Sequence, residues 1–291
     1  MSTLTDGGSI GSDGRAEAEL AAFLGQHERL FVITGAGLSA PSGIDTYRDH
    51  KGQWQSPAPV QHQDFLRHHS SRQRYWARSL RGWPRFRNAR PNTAHVALAE
   101  LSARDRVGCL LTQNVDGLHQ RAGQTGLIEL HGSLANVVCL ECHHRVTRES
   151  VQSWLEVHNP EILAMAASPR PDGDAELRTR DGRLTLYDSV QVPVCERCGG
   201  VLKPDVVFYG DSVPVARVGA ATAALAQADA VLVVGTSLMV YSSFRFCRAA
   251  RERRLPMAAV NLGVTRADAW YSSKLDADCS IVLPRLVGTL V

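Results

Sequence analysis

RLFVITGAGLSAPSGIDTYRD, residues 29–49, decides the fold. A short apolar run with the character of a buried strand ends in Gly35-x-Gly37-x-x-Ala40. That is close to the glycine fingerprint by which a backbone turn approaches a pyrophosphate. The motif does not say whether the nucleotide leaves intact as a hydride carrier or is broken in the reaction. The rest of the chain has to decide that.

The same kind of run recurs at VGCLLTQN (107–114), GLIELHG (126–132), AVLVVGTS (230–237) and MAAVNLG (257–263). Helical apolar spacing lies between or beside them, in AEAELAAFLGQ (16–26), PVARVGAATAALAQA (214–228) and SSFRFCRAARER (242–253). Alternating apolar strands and helices predict an α/β fold, a Rossmann-like parallel sheet with helices on both faces. In such sheets the ligand crevice lies beyond the C-terminal strand ends. The residues at those ends are Gly35, Gln113, Asn114, His131, Gly235, Thr236, Ser237 and Asn261.

With 291 residues the chain can bury roughly 75% of the surface it would expose unfolded. Its hydrophobic fraction of 44% and charged fraction of 21% are those of an ordinary globular protein. A net charge of +3 is too mild to argue for nucleic acid or an anionic membrane. No apolar run approaches the roughly 18–20 residues of a membrane span. The polar, Gly/Ser-rich stretch 1–15 resembles neither a signal nor a transit peptide, so a disordered leader on a cytoplasmic protein is expected.

Two regions break the alternation. Residues 46–95 are rich in His, Arg, Trp and Gln and read as a helical insert over the crevice. Residues 136–204 carry Cys139-x-x-Cys142 and Cys195-x-x-Cys198, two knuckles suited to one tetrahedral zinc ion (Zn2+). Four thiolates leave no open position for water, so the predicted metal is structural. The polar stretch 169–182 reads as a long loop inside this small module. The Rossmann-like domain is then expected at 16–135 and 205–291.

These motifs, in this order, resemble the sirtuins, NAD-dependent protein lysine deacylases. The likeness rests on GAGLSAPSGI, TQNVDGLHQRAG (112–123), ELHGS (129–133), the cysteine pairs, KPDVVFYGD (203–211), GTSLMVYS (235–242) and VNLG (260–263). It runs from about Val32 to Leu290. RQRYWARSLRGWP, KPDVVFYGD and SLMVYSSFRF look like the class II branch that includes an animal mitochondrial member.

The resemblance answers the opening question: it implies that NAD is consumed. The acyl-lysine oxygen attacks C1′ of the nicotinamide ribose, nicotinamide leaves, and the acyl group ends on ADP-ribose. The implied general base is His131, whose unperturbed pKa of about 6.5 suits that work. Asn114 is implied to orient the ribose and a water, Asp116 to accept from the nicotinamide carboxamide, and Gln113 to hold the ribose. The implied NAD contacts also include Gly35, Ala36, Gly37, Ser39, Tyr47, Arg48, Val115, Gly235, Thr236, Ser237, Asn261, Leu262, Gly263 and Cys279. An acyl-lysine peptide is implied to add as a strand between SLMVY and a segment containing Val207, Phe208, Tyr209 and Gly210.

Where the family usually reads Gly-Ile-Pro-Asp-Phe-Arg, this chain has Gly43-Ile44-Asp45-Thr46-Tyr47-Arg48. Loss of the Pro and the Asp predicts a less firmly anchored loop, with NAD still bound and slower or more substrate-dependent turnover. Tyr75-x-x-Arg78 resembles the pair with which some sirtuins hold the carboxylate of an acidic acyl group. Three residues apart on a helix, the two share a face. Two other functions use the same nucleotide site: mono-ADP-ribosyl transfer to protein, and NAD sensing without catalysis.

Overall fold

The computed structural model describes residues 10–55, 59–169, 175–178 and 187–290. In chain order its helices are α1 (Ile10–Gln26), α2 (Ala36–Ser39), α3 (His62–Arg67), α4 (His69–Asn88), α5 (Thr93–Ala103), α6 (Leu118–Arg121), α7 (Arg148–His158), α8 (Pro160–Leu163), α9 (Val215–Ala226), α10 (Tyr241–Glu252) and α11 (Cys279–Thr289). Its strands are β1 (Leu30–Thr34), β2 (Val107–Thr112), β3 (Leu127–Glu129), β4 (Gly132–Cys139), β5 (Arg145–Thr147), β6 (Ala166–Pro169), β7 (Ala175–Arg178), β8 (Leu202–Val206), β9 (Ala230–Val234), β10 (Met257–Val260) and β11 (Ser273–Leu275).

Six strands form one parallel sheet in the order β11-β10-β9-β1-β2-β3. All five strands expected from apolar runs are in it. The sixth, β11, has too short an apolar run to stand out in the sequence.

Strand β1 sits at the centre, buried throughout, and its side chains alternate between the faces. Leu30 and Val32 join a core under α1, α5 and α11, while Phe31 and Ile33 join one under α9 and α10. A large-to-small change such as Phe31→Ala in so closed a site costs about 3–5 kcal/mol.

The expected disordered leader of 1–15 is corrected at its end, because α1 already begins at Ile10. Residues 1–9 lie outside the described residues.

Residues 46–95 are helical over α3 and α4, but they do more than cover the crevice. Phe65, Tyr75, Trp76 and Leu80 share one apolar core with Val137, Val151, Leu155 and Leu202 of the small module. Arg148 joins the two segments. Wholly buried, it donates to Ser79 O at 3.2 Å and lies over the Trp83 ring at 4.7 Å. Burial lowers its pKa to about 10, so it stays charged at neutral pH. Thr93–Ala103 belongs instead to the helical layer of the large sheet.

The small module also holds an antiparallel sheet in the order β5-β4-β8. Part of the expected loop 169–182 is ordered, since β6 and β7 pair antiparallel from Ala166↔Arg178 to Pro169↔Ala175. The rest of that loop, 170–174 and 179–182, lies outside the described residues. Among the described residues no helix is long and apolar enough to cross a membrane.

Candidate active site

The C-terminal ends of β1, β2, β9 and β10 open into a cavity of about 1030 Å³. That is at the upper end of ligand-pocket volumes, roughly 300–1,000 Å³. Close approach of backbones shapes it. Gly235 has φ +58°, and a Cβ there would stand 2.3 Å from Leu38 N. A Cβ on Gly37 would stand 2.8 Å from Gly235 O. Only glycines let the turn after β1 and the turn after β9 meet, which brings both turns to the cavity where a dinucleotide backbone would lie.

His131 follows β3. Its backbone O accepts from Val207 N at 2.8 Å, which ties it to the segment after β8. Gly132, at φ +83°, permits this, since a Cβ there would overlap Asp205 O at 2.0 Å. The imidazole Nδ1 faces Gln113 O at 3.1 Å, an atom that only accepts, so Nδ1 carries the hydrogen. Nε2 therefore holds the lone pair, and Ser242 Oγ donates to it at 2.8 Å. Burial lowers the His131 pKa to about 4, against the raising effect of the bond to Gln113 O. The ring is thus neutral at pH 7 with a basic nitrogen on the cavity wall.

Side chains of TQNVD fan around it. Gln113 Nε2 donates to Thr236 Oγ1 at 2.9 Å, and Ser243 Oγ donates to Gln113 Oε1 at 2.8 Å. Asn114 Nδ2 donates to Gly35 O and Ser39 Oγ, both at 3.0 Å. Ser39 Oγ in turn donates to Asp116 Oδ2 at 2.7 Å, and Leu118 N to Oδ1 at 2.9 Å. Burial raises the Asp116 pKa, while these donors act the other way.

The cavity wall contains Gly35, Ala36, Gly37, Ser39, Tyr47, Arg48, Gln113, Asn114, Val115, Asp116, His131, Gly235, Thr236, Ser237, Asn261, Leu262 and Cys279. Tyr75, Val207, Phe208, Tyr209 and Gly210 line it as well. Two residues given roles from the sequence are not on the wall. Gly263, at φ +79°, seats the loop 46–55 instead: its missing Cβ makes room for His50 O. Arg78 points to the small module and donates through Nε to Ala175 O at 2.8 Å. The Tyr75–Arg78 carboxylate clamp is therefore corrected. Tyr75 packs edge-on against Phe65, at 5.5 Å between centroids, and near Phe208 at 5.4 Å.

The loop at Asp45-Thr46 is better anchored than its sequence suggests. Arg85 donates to both Asp45 oxygens, at 2.8 and 3.3 Å. Thr46 Oγ1 donates to Arg48 O at 2.8 Å and accepts from Gln55 Nε2 at 2.9 Å. Arg48 lies over the Trp54 ring at 4.2 Å and donates to Gly52 O at 2.8 Å. Of the two segments expected to flank the peptide strand, SLMVY is not extended. Leu238 has φ +57°, and α10 begins at Tyr241.

Sequence reading gave no role to Ser242 or Ser243. Their signal was present but indirect, two hydroxyls opening a helix directly after a strand-end motif.

The four module cysteines converge as their spacing predicted. Their sulfurs lie within 4.8 Å of one another, with Cys139–Cys198 at 3.5 Å and Cys142–Cys195 at 3.7 Å. Tetrahedral zinc with bonds of about 2.3 Å sets its sulfurs roughly 3.8 Å apart, so the set fits. Each knuckle turns through a left-handed residue after its second cysteine, His143 at φ +57° and Gly199 at φ +73°.

The model of the Sir2 family matches residues 35–242. This chain belongs to the Sir2 family. Among relatives of this Sir2-family chain, the NAD-dependent protein deacetylase 2 of Bradyrhizobium diazoefficiens is 52% identical over 272 residues, 94% of this chain and 98% of that protein. The mitochondrial NAD-dependent protein lipoamidase sirtuin-4 of Bos taurus is 45% identical, covering 91% of this chain and 84% of that one. A solved Sir2–p53 peptide–NAD+ complex superposes with a TM-score of 0.73 at 27% identity, covering 93% of this chain and 96% of that one.

Proposed function

We propose that this chain is an NAD-dependent protein lysine deacylase, which moves the acyl group of an acyl-lysine onto ADP-ribose and releases nicotinamide. The observation that carries the reading is His131, a neutral imidazole with Nε2 on the cavity wall at the sheet edge where GAGLS and TQNVD meet. The curated relatives at about 52% identity are NAD-dependent protein deacetylases.

NAD supplies the electrophilic ribose carbon and the acyl acceptor. The close-packed turn Gly35-Ala36-Gly37 and Gly235 lie together on the cavity wall and fit its pyrophosphate. Asn114 and Gln113 present amide groups beside the turn, and Asp116 presents a carboxylate held by Ser39. His131 Nε2 takes a proton from a ribose hydroxyl, for which Ser242 Oγ–H has to give up its place on that nitrogen. The aromatic rings of Tyr47, Trp54 and Tyr209 cluster beside the cavity, with centroids 5.5–6.5 Å apart, and exclude water.

An acyl-lysine protein or peptide is the second substrate, entering along 207–210. Part of that edge is already used, because His62 N donates to Tyr209 O at 2.8 Å. A cytoplasmic location belongs to the same proposal.

The test is nicotinamide release from NAD with an acetyl-lysine peptide, for wild type and His131→Ala. Release should require the peptide, yield acyl-ADP-ribose in equal amount, and fall about 10²–10⁴-fold in the variant. Label passing from NAD to protein would instead mean ADP-ribosyl transfer. Binding of NAD without release would mean a sensor.

A further inference from the structure

Arg78 is turned away from the cavity, which leaves Arg48 and Arg245 as the arginines on its wall. Arg48 is committed to Gly52 O and the Trp54 ring. Arg245 is not so committed: its Nε is buried without a hydrogen-bond partner among the described residues. Burying a guanidinium N–H unpaired is costly, and the guanidinium to which it belongs is on the cavity wall.

The helix decides where this guanidinium sits. Arg245 is three residues beyond Ser242 on α10, so the two share a face. Helical side chains lean toward their own N-terminus, here over the first turn, and the guanidinium carbon lies 5.4 Å from the Tyr241 ring centre. On that same turn Ser242 reaches His131 Nε2. The cavity's own carboxylates have other partners: Asp116 has Ser39, Asp278 has Ser280, Asp49 has Lys51 and Gln53, and Asp211 faces His62 at 3.3 Å. None of them completes Arg245.

We propose that Arg245 is a specificity residue that binds a carboxylate of the substrate. A planar fork of N–H groups matches a carboxylate in charge and geometry. Two sources offer that group: an acidic side chain flanking the acyl-lysine, or the free end of an acidic acyl chain. The position of Arg245 favours the first. Its neighbour on the cavity wall, Tyr241, is exposed. The apolar wall of Ile44, Phe86 and Leu134 belongs to a separate cluster. The proposal rests on the deacylase reading.

The experiment measures kcat/KM by nicotinamide release for three peptides: acetyl-lysine with alanine flanks, acetyl-lysine with aspartate or glutamate flanks, and succinyl-lysine with alanine flanks. Wild type, Arg245→Met and Arg245→Lys are compared. Wild type should prefer one carboxylate-bearing peptide over the neutral one by about tenfold, the size of one charge-assisted hydrogen bond. Arg245→Met should lose that preference and Arg245→Lys should keep part of it. Preference for the acidic flanks names the flanking source, and preference for succinyl-lysine names the acyl chain. A wild type indifferent to both carboxylates overturns the proposal without recourse to a variant, and so does a preference that survives in Arg245→Met. Failure of the wild type on the neutral acetyl peptide and on every other peptide would instead strike the deacylase reading.

Discussion

At the scale of single residues, the site turns on which partner each polar atom has. His131 is held between a carbonyl on Nδ1 and a hydroxyl on Nε2, and both bonds suit the neutral ring. A base must be neutral to act, so activity is lost as pH falls through its pKa. A value lowered to about 4 places the acid limb of kcat/KM, which reports the free enzyme, well below 6.5. The Ser242 hydroxyl donates to Nε2 and so favours the neutral form. Ser242→Ala should move that limb upward by about half to one pH unit, and Ser242→Thr should restore it. A limb at the same pH in Ser242→Ala would show that the bond seen here does not tune the base.

Sequence reading placed His131, Gln113 and Asn114 at the strand ends for a reason that is local: each follows an apolar run. It assigned Arg78 wrongly because helical spacing says which residues share a face and not which body that face meets. Asp45 and Thr46 were expected to loosen their loop. Asp45's partner Arg85 stands 40 residues away in the chain, where no local rule points.

At the scale of elements, two junctions carry the architecture. The first is the meeting of α2 with the end of β9, where Gly235 is both left-handed and in contact with Leu38 N. Gly235→Ala combines a strained φ with a backbone overlap. It should destabilise by about 3 kcal/mol and abolish NAD binding, measured by thermal unfolding and by titration calorimetry. Normal NAD affinity in that variant would contradict a pyrophosphate site at these turns.

The second junction is the four-cysteine cluster beneath β4 and β8. It stabilises the core that also holds Phe65, Tyr75 and Trp76. Chelation, or Cys142→Ser, should expose the module to protease within 136–204 and lower the thermal midpoint while the six-stranded sheet persists. Release activity should fall with it, because β8 positions the segment against His131. An unchanged midpoint after chelation would remove the structural metal from this account.

At the scale of the whole molecule, two buried histidines set a limit in acid. His95 and His119 lie against each other at 4.9 Å between α5 and α6, wholly or almost wholly buried. Burial lowers their pKa values to about 4 and about 3. In the unfolded chain both titrate near 6.5, so from 6.5 downward the unfolded state binds protons that the native state refuses. Stability is therefore complete above pH 6.5 and falls as pH drops toward 4, by several kcal/mol at most. Urea unfolding between pH 7.5 and 4.5 should show this slope, and His95→Gln should flatten it. A slope unaffected by His95→Gln would assign acid sensitivity to other groups.

The sequence by itself determined the parallel sheet, the ligand edge, the metal set and the family. Each of these is written in short-range patterns: apolar runs of strand length, glycines at strand ends, Cys-x-x-Cys pairs and contiguous motifs. The tertiary structure alone decided that residues 62–88 share a core with the small module, that α1 begins at Ile10, and that Ser242 caps the base. It also decided that Arg245, and not Arg78, faces the cavity. These depend on where separate faces dock, and docking is set by buried area and hydrogen-bond completion between segments far apart in the chain, which no window of local sequence contains.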